Sequence, residues 1–224
     1  MSSSLSFQEA LAWHRARLPL TKEAWEKLEG EARKQAFTIA GVMQLQLVSD
    51  VWEALDRAIL QGESLQVFME TIGPKLKQAW GKSVSNPAWR LETIFRTHVQ
   101  QAYNAGRYAQ ATHPETLSVR PYWMFNAVKD GRTSEICRAL DGTILPAEDP
   151  WWKTHYPALH FNCRASVVSL TEEQAWMRGV TRMAPTVVAA EGFGHLPTQP
   201  PPGPKASSYP AKLWDLYQRK GGRE

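Results

Sequence analysis

A chain of 224 residues that is 43% hydrophobic and 21% charged has the composition of a soluble globular protein and the length of one substantial domain or two small ones. The lack of a long apolar run argues against a membrane span, and the N-terminus lacks the charged and apolar segments of a secretory signal. The net charge of +4 allows contact with nucleic acid or an acidic surface without requiring it, and two cysteines are too few for a disulfide framework.

The first 85 residues are predicted to be helical. Apolar residues recur there every three or four positions, which is the spacing of one buried helix face. The pattern predicts a long helical segment over residues 37–60, interrupted near Ser49, with Gly62 as its stop. Gly73-Pro74 should then split the next helical element. We therefore expect residues 1–85 to form a helical bundle.

A long helix is predicted to follow this bundle. Asn86 can cap it, Pro87 fits its first turn, and the apolar pattern continues over residues 88–112. Three arginines flank its inner face and are the candidates for contact with DNA phosphates or with carboxylates. They are Arg90, Arg96 and Arg107. The alternative is that these are ordinary solvated or ion-paired surface arginines.

Short strands and helices are predicted beyond the long helix. Residues 120–128 are rich in aromatic and branched side chains and lie between turn signals, which favours a strand. Thr133 can cap a short helix that ends at residue 140, and further strands are predicted at 143–145 and 164–170. A capping box at Thr171 opens a last short helix. Residues 86–178 are therefore predicted to form a small α+β lobe with the long helix.

Trp151 and Trp152 lie in a predicted loop. Ten tryptophans in one chain predict an extensive core and at least one partner interface, because large rings are usually buried or at contact surfaces. We expect this pair to fold onto the core or onto a neighbouring subunit. Residues 179–224 are predicted to be an extended, proline-rich tail with a short terminal helix, whose Trp214 and Tyr217 would dock on another subunit.

The residues with the greatest chemical capacity gather between residues 122 and 170. Both cysteines and two of the six histidines lie there, close to tight turns. The set comprises Asp130, Arg132, Thr133, Cys137, Asp141, Gly142, His155, His160, Cys163 and Arg164. An arginine can bind a carboxylate and several loop carbonyls at once, so we expect the aspartates and arginines of this set to pair.

Four interpretations are open for the thiols and imidazoles. In the first, the cysteines pack as small buried hydrophobes and His160 holds a hydrogen bond that fixes the loop. In the second, zinc is bound by Cys137, His155, His160 and Cys163, although only His160-x-x-Cys163 has a tight spacing. The third is a disulfide between the cysteines, which a reducing compartment disfavours. The fourth is catalysis with Cys163 as nucleophile and His160 as base, but no third member or oxyanion site is evident.

As an ordered set, these residues resemble a known family. The phage Mu F-type minor head proteins, which are head morphogenesis proteins of tailed bacteriophages, share an Asp-x-Arg-Thr-Cys-x-x-Cys turn, an Asp-Gly step and a closing His-x-x-Cys-Arg-Cys. Every residue of the set except His155 matches this pattern. Ser134 and Ala165 depart from it, because many members have cysteine at both positions. The resemblance covers residues 7–175 and is most specific over residues 91–168.

The resemblance implies a non-enzymatic α+β protein that takes part in head morphogenesis. It would be located in the virion, in the head interior or at the portal vertex, and in the host cytoplasm during assembly. The implied partners are the portal protein, the major capsid protein or both, with packaged DNA as a further partner and with no membrane, small-molecule substrate or required cofactor. Two alternatives are kept: a DNA-contacting packaging or ejection factor, and a metal-dependent nuclease-like or toxin-like enzyme.

Overall fold

The computed structural model describes residues 7–27 and 36–197. The chain forms two compact units that divide between Val99 and Gln100. Both units contain helices and short strands, which confirms the predicted α+β class. Within the described ranges, no helix combines the length and the apolar character that crossing a bilayer requires. Trp214 and Tyr217, which are predicted to dock on another subunit, lie outside the described residues.

The first unit is mainly helical. Its described elements are α1 (Gln8–Arg15), β1 (Leu18–Pro19), α2 (Lys22–Glu26), β2 (Ala36–Phe37), α3 (Leu45–Gln61), α4 (Leu65–Thr71), α5 (Gly73–Trp80), a 3-10 turn (Gly81–Ser83) and the first part of α6 (Pro87–Ala111). The two short strands pair in parallel. Buried side chains from α3, α4, α5 and α6 form its core and include Val48, Val51, Leu55, Phe68, Leu76 and Leu91.

The helix predicted over residues 37–60 is wrong at its start. Phe37 and Val42 are fully buried, but Gly41 between them adopts a φ of 76° and the helix begins only at Leu45. An irregular segment that crosses the core thus produced the same apolar spacing as a helix. The interruption predicted near Ser49 is also wrong, because Ser49 is fully buried inside an unbroken α3.

The predicted boundaries of the next helices are confirmed. Gly62 ends α3 with a φ of 72°, a left-handed conformation that glycine adopts without a steric penalty from Cβ. Ile72 separates α4 from α5, and the proline of the following pair occupies the first turn of α5. At the start of α6, the Asn86 side chain accepts a hydrogen bond from the Trp89 N–H at 3.1 Å.

The second unit is built around a three-stranded sheet. After α6 its elements are α7 (Pro114–Val119), β3 (Tyr122–Asn126), α8 (Glu135–Leu140), β4 (Ile144–Pro146), α9 (Trp152–His155), β5 (Ser166–Leu170) and α10 (Glu172–Arg178). The strands are antiparallel in the order β4-β3-β5. Met124 lies opposite Ile144 on one side and Val168 on the other. All three predicted strands are confirmed, with ends that differ by at most two residues, and the capping box at Thr171 opens α10 as predicted.

Aromatic rings fill the core of the second unit. Trp123, Trp152 and Tyr156 are at most 2% exposed. Their rings meet edge to face, with centroids 5.6 Å apart for the two tryptophans and 5.8 Å apart for Trp123 and Tyr156. The Trp152 indole also donates to the Pro146 carbonyl at 3.0 Å. Trp152 therefore folds onto the core, which is the first of the two expected alternatives.

Residues 180–197, here called the strap, run over the second unit without regular secondary structure. The strap is held by backbone hydrogen bonds, including Thr181 N–H to the Ile144 carbonyl and Ala190 N–H to the Leu159 carbonyl, each 2.9 Å. The sequence analysis places a boundary at residue 178 because the chain beyond it is predicted to be an extended, proline-rich tail. In the structure the second unit instead continues through the strap, and the first boundary lies inside α6 rather than at residue 85.

Gly194 is the tightest point of the strap, and its replacement by alanine should loosen it. An added Cβ would lie 2.5 Å from the Thr154 carbonyl oxygen and 2.5 Å from the Ala189 Cβ, at a φ of 76°. Gly192 has a similar φ of 82°, but an added Cβ there would meet no atom within 4 Å. We expect Gly194→Ala to destabilise the unit by about 1–3 kcal/mol more than Gly192→Ala, because only the former adds a clash to the backbone cost.

Hydrogen exchange of the Ala190 amide is the appropriate measurement, since this amide reports docking of the strap. Exchange of this amide should accelerate in Gly194→Ala and change much less in the matched variant, Gly192→Ala. Equal acceleration in the two variants would show that the close contact with Thr154 does not hold the strap.

Candidate functional site

The site begins at the N-terminus of α8. Ser134 is the cap, since its side chain accepts a hydrogen bond from the Cys137 N–H at 3.1 Å. The prediction that Thr133 caps this helix is therefore wrong by one residue. Thr133 instead stabilises the preceding turn, where its hydroxyl accepts from the Asp130 N–H at 3.0 Å and donates to the Val128 carbonyl.

Three residues with metal-binding side chains meet beside this cap. The Cys137 Sγ lies 3.7 Å from the Cys163 Sγ and 3.2 Å from the His160 Nε2. One ligand atom from each residue falls within 4.8 Å of the others. Both cysteines are free and buried, and His160 is partly buried. The two cysteines are 26 residues apart in the chain, and the fold brings their sulfurs into contact.

The environment of His160 fixes the orientation and tautomer of its ring. Its Nδ1 lies 2.7 Å from the Phe161 carbonyl oxygen. Because a carbonyl only accepts, the hydrogen is on Nδ1, and the neutral ring turns the Nε2 lone pair toward the thiols. The Ser134 hydroxyl lies 2.8 Å from the same Nε2 and can donate to it. The ring is therefore oriented with its basic nitrogen inward.

The two thiols differ in acidity because of their mutual contact. The hydrogen bond from Cys137 lowers the pKa of the Cys163 thiol to about 4, with a further contribution from His160. The hydrogen bond to Cys163 and burial raise the pKa of Cys137. The contact with the Cys163 sulfur also raises the pKa of His160. The cluster therefore favours a shared negative charge on sulfur next to a basic imidazole.

A salt bridge closes the exposed side of the site. Both terminal nitrogens of Arg164 donate to the two carboxylate oxygens of Asp130 at 2.6 Å, in the bidentate geometry that guanidinium groups favour. Asp130 also accepts from the Arg132 N–H at 2.8 Å. These bonds, those from Arg164 first, hold the pKa of Asp130 well below its usual range. The turn before α8 is thereby tied to the chain that follows Cys163.

Asp141 stabilises the same lobe from the other end of α8. Its Oδ1 accepts from the Ala127 N–H at 2.9 Å and its Oδ2 pairs with Lys129 at 2.7 Å, while the side chain is 14% exposed. Gly142 follows with a φ of 78°, which favours glycine at this turn. The Asp-Gly step thus provides an acceptor for a backbone donor and then a left-handed turn.

Removing this acceptor should destabilise the lobe. We expect Asp141→Ala to cost about 1–3 kcal/mol, because the partly buried Ala127 N–H loses its acceptor. Asp141→Asn should cost clearly less, since an amide oxygen can still accept. Urea denaturation followed by the indole NMR signal of Trp123 measures the loss. Equal losses in the two variants would mean that the charge, rather than the hydrogen bond, carries the stabilisation.

Several predicted site residues lie elsewhere in the structure. His155 is not part of the thiol cluster: its ring stacks on Trp151 with centroids 4.2 Å apart, and its Nε2 meets the Val187 carbonyl at 2.9 Å. It cannot complete a zinc site with the other three, so that ligand set is wrong. Trp151 is partly buried and donates to the Pro185 carbonyl at 2.7 Å. Partner contact by Trp151 and Trp152 stays a prediction. Of the two side chains, only that of Trp151 has exposed surface.

The three arginines predicted to contact DNA differ in their surroundings. Arg90 donates to the Ala40 carbonyl at 2.8 Å and lies over the Trp80 ring. Arg96 forms an ion pair with Glu92 at 2.6 Å. Arg107 is exposed. Their role in DNA contact stays a prediction.

Sequence reasoning missed the polar side chains that secure the far end of the site. Gln100 and Asn104 on α6 both donate to the Ala165 carbonyl, at 3.0 and 3.2 Å. Asn104 is 1% exposed, and a polar residue at a core position of an amphipathic helix was the available signal. Asn162, with a φ of 58°, turns the chain between His160 and Cys163.

The sequence matches the family described as Phage Mu protein F like protein over residues 49–168. The chain belongs to this family. Among curated Mu F-like relatives, it is 32% identical to the putative capsid assembly protein F of Escherichia phage Mu over 178 residues, which cover 73% of this chain and 40% of that protein.

A second Mu F-like relative is the Mu-like prophage FluMu F protein of Haemophilus influenzae, with 35% identity over 172 residues, which cover 72% of this chain and 41% of that protein. The chain thus spans about two fifths of the length of the curated relatives that it matches. No solved structure matches it significantly. The family resemblance drawn from the ordered motif is confirmed.

Proposed function

We propose that this protein is a minor head protein of a tailed bacteriophage, which acts in head morphogenesis and contacts the portal protein or the inner surface of the capsid. The observation that carries the proposal is family membership through the motif-bearing lobe, together with a relative named as a putative capsid assembly protein of phage Mu. The protein would act in the host cytoplasm during assembly and remain in the virion.

The geometry of the site supports a structural, non-enzymatic role. A Ser-His or Cys-His pair needs a group that orients the imidazole and a site that stabilises an oxyanion. Here the Phe161 carbonyl orients the His160 ring, but the groups that its Nε2 meets are engaged in structure: the Ser134 hydroxyl caps α8 and the two thiols contact each other. The neighbouring carboxylate, Asp130, is engaged by Arg164 on the exposed side. The polar groups therefore fasten loop to helix, which is what a scaffold held in a particle requires.

The proposal is tested by disrupting the gene in a phage or prophage that encodes the protein. Without it, fewer DNA-filled heads should form, and a plasmid copy should restore their number. Mass spectrometry of purified particles should detect the chain in the virion, and cross-linking should join it to the portal or major capsid protein. Normal yields of infectious particles without the gene, or particles that lack the chain, would refute the proposal.

A single substitution distinguishes the enzymatic alternative from the structural role. If Cys163 were an essential nucleophile, Cys163→Ala would abolish assembly while the protein accumulates in folded form. We expect the folded variant to support assembly. Failure of assembly by a Cys163→Ala protein that enters particles and keeps the wild-type Tm would favour catalysis, whereas failure with a lowered Tm would indicate a structural role of the thiol.

The DNA-contacting alternative makes a different prediction. Binding through several phosphates weakens steeply as salt rises. Arg96 and Arg107 are both exposed, but Arg96 is ion-paired with Glu92 and Arg90 contacts the Ala40 carbonyl, so Arg107 is the residue to vary. Measuring DNA affinity across salt concentrations, with Arg107→Gln as the variant, separates specific phosphate contact from capsid contact alone.

A further inference from the structure

We propose that Cys137, His160 and Cys163 bind a zinc ion, with a water molecule as fourth ligand on the side of Ser134. The inference concerns a metal site within the second unit and does not depend on which head protein the chain contacts. It also differs from the four-residue set predicted from sequence, because His155 points to the strap instead.

The distances within the cluster agree with tetrahedral zinc coordination. Zinc bonds of about 2.3 Å to sulfur and about 2.0 Å to nitrogen, at tetrahedral angles, place two sulfurs about 3.8 Å apart and sulfur about 3.5 Å from nitrogen. The observed separations are 3.7 Å between the thiols and 3.2 Å from the Cys137 Sγ to the His160 Nε2. A disulfide would need the sulfurs at about 2.05 Å, which the free cysteines do not approach.

The donor set also has the chemistry that zinc requires. Two thiolates and one imidazole nitrogen are the borderline-soft ligands that zinc prefers over calcium or magnesium. The Phe161 carbonyl accepts from His160 Nδ1 and thereby directs Nε2 to the metal, which is the usual second-shell arrangement. Both cysteines are free, so both sulfurs are available to ligate a metal as thiolates.

The fourth position faces Ser134. Its hydroxyl lies 2.8 Å from His160 Nε2 and 3.1 Å from the Cys137 N–H, so it borders the same point as the two sulfurs. The adjoining cavity, lined by Ser134, Asn162 and Arg164 among others, has a volume of about 10 Å³, which is room for about one water. A hydroxyl is a weak zinc ligand, and a water that it hydrogen-bonds would complete the tetrahedron.

A bound zinc ion would link two segments that are far apart in the chain. Cys137 lies in α8, whereas His160 and Cys163 lie in the loop before β5, 23 and 26 residues further along the chain. Because zinc binds the folded arrangement and the unfolded chain only weakly, its binding free energy would add to stability. Zinc removal should therefore loosen α8 against this loop.

The test uses the full chain, purified under reducing conditions and loaded with zinc, with cobalt(II) as a spectroscopic probe. We expect about one zinc per chain after gel filtration, sulfur-to-cobalt charge-transfer absorption, and a lower Tm after chelation. Cys163→Ala and His160→Ala should each weaken zinc affinity by at least about 100-fold, whereas the matched change at exposed His113 should not affect it. Reduced, folded wild-type protein that binds no zinc would overturn the proposal.

Ser134→Cys provides a gain-of-binding test that misfolding cannot mimic. A thiolate at this position would replace the water, and we expect zinc affinity to rise by at least about tenfold. The cobalt spectrum should gain a third sulfur ligand. Unchanged affinity and spectrum would overturn the assignment of the fourth position. Since these readouts require no phage particles, their failure is distinguishable from a failure of the proposed role in head assembly.

Discussion

Replacing Trp152 with alanine should destabilise the second unit by about 3–5 kcal/mol, the usual cost of truncating a fully buried large aromatic residue. The side chain is 1% exposed and its ring contacts Trp123, Tyr156 and Trp151 edge to face. Truncation removes these contacts, leaves a cavity, and deprives the Pro146 carbonyl of the indole donor at 3.0 Å. The loss is a large fraction of the ~5–15 kcal/mol that stabilises a typical protein, so the unit should unfold at a much lower denaturant concentration.

Trp176 provides the matched control. It lies on α10 of the same unit and is 63% exposed. Trp176→Ala should change stability by no more than about 0.5 kcal/mol, because little apolar surface is removed from water when it folds. Guanidinium denaturation followed by the indole NMR signal of Trp123 measures both variants in the same unit. Similar stabilities for the two variants would mean that the aromatic cluster is not the core of this unit.

The second large effect concerns a histidine buried in the first unit. His14 is fully buried, its ring stacks on Trp52 with centroids 4.9 Å apart, and its Nε2 lies 3.0 Å from the Trp52 carbonyl oxygen. Burial lowers the pKa of His14 to about 4; Arg17 and Arg15 also lower it, whereas the Trp52 carbonyl and Asp56 raise it. Burial likewise lowers the pKa of His98, with Arg17 and His14 contributing.

Acidification should therefore destabilise the first unit. Well above pH 6.5 neither the folded nor the unfolded chain carries a proton on His14, and the stability is full. As pH falls, the unfolded chain takes up a proton near pH 6.5, but the folded chain does so only near pH 4. We expect a loss of about 3 kcal/mol from His14 between these values, at 1.36 kcal/mol per pH unit, and a further loss in the same direction from His98.

The slope of stability against pH is the readout for this prediction. Urea denaturation between pH 7 and pH 4, followed by the indole signal of Trp52, should show a marked decline. His14→Phe keeps an aromatic ring but cannot titrate, so its decline should be smaller by about 3 kcal/mol. His113→Gln, a change at an exposed histidine, should retain the wild-type slope. A wild-type stability that is constant over this range would contradict the assigned burial of a neutral His14.

Local signals explain which elements were predictable. Asn86 accepts from an N–H three residues on, and Thr171 forms a capping box with Gln174, so both helix starts follow from a few consecutive residues. The segment after Phe37 had helical spacing but no helix. The apolar pattern of this segment indicated that it is buried. Burial alone does not distinguish a helix from an irregular chain that crosses the core.

Most residues of the site were predictable from the sequence, but the exact set that meets in space was not. The sequence indicated that the thiols, His160 and the Asp130–Arg164 region belong together, because they form an ordered motif. It also offered His155 as a ligand, since spacing places it between the two cysteines. Only the path of the chain shows that His155 turns to Val187 while Ser134 faces the thiols.

The sequence by itself determined the α+β class, the starts of α6 and α10, the three strands of the lobe and the family, because these depend on interactions between near neighbours or on an ordered motif. The tertiary structure decided the composition of the thiol-imidazole cluster and the attachment of the strap. Cys137 and Cys163 meet across 26 residues of chain, and the strap is held by backbone hydrogen bonds to distant loops. Such contacts depend on how intervening segments pack, and no spacing along the chain encodes them locally.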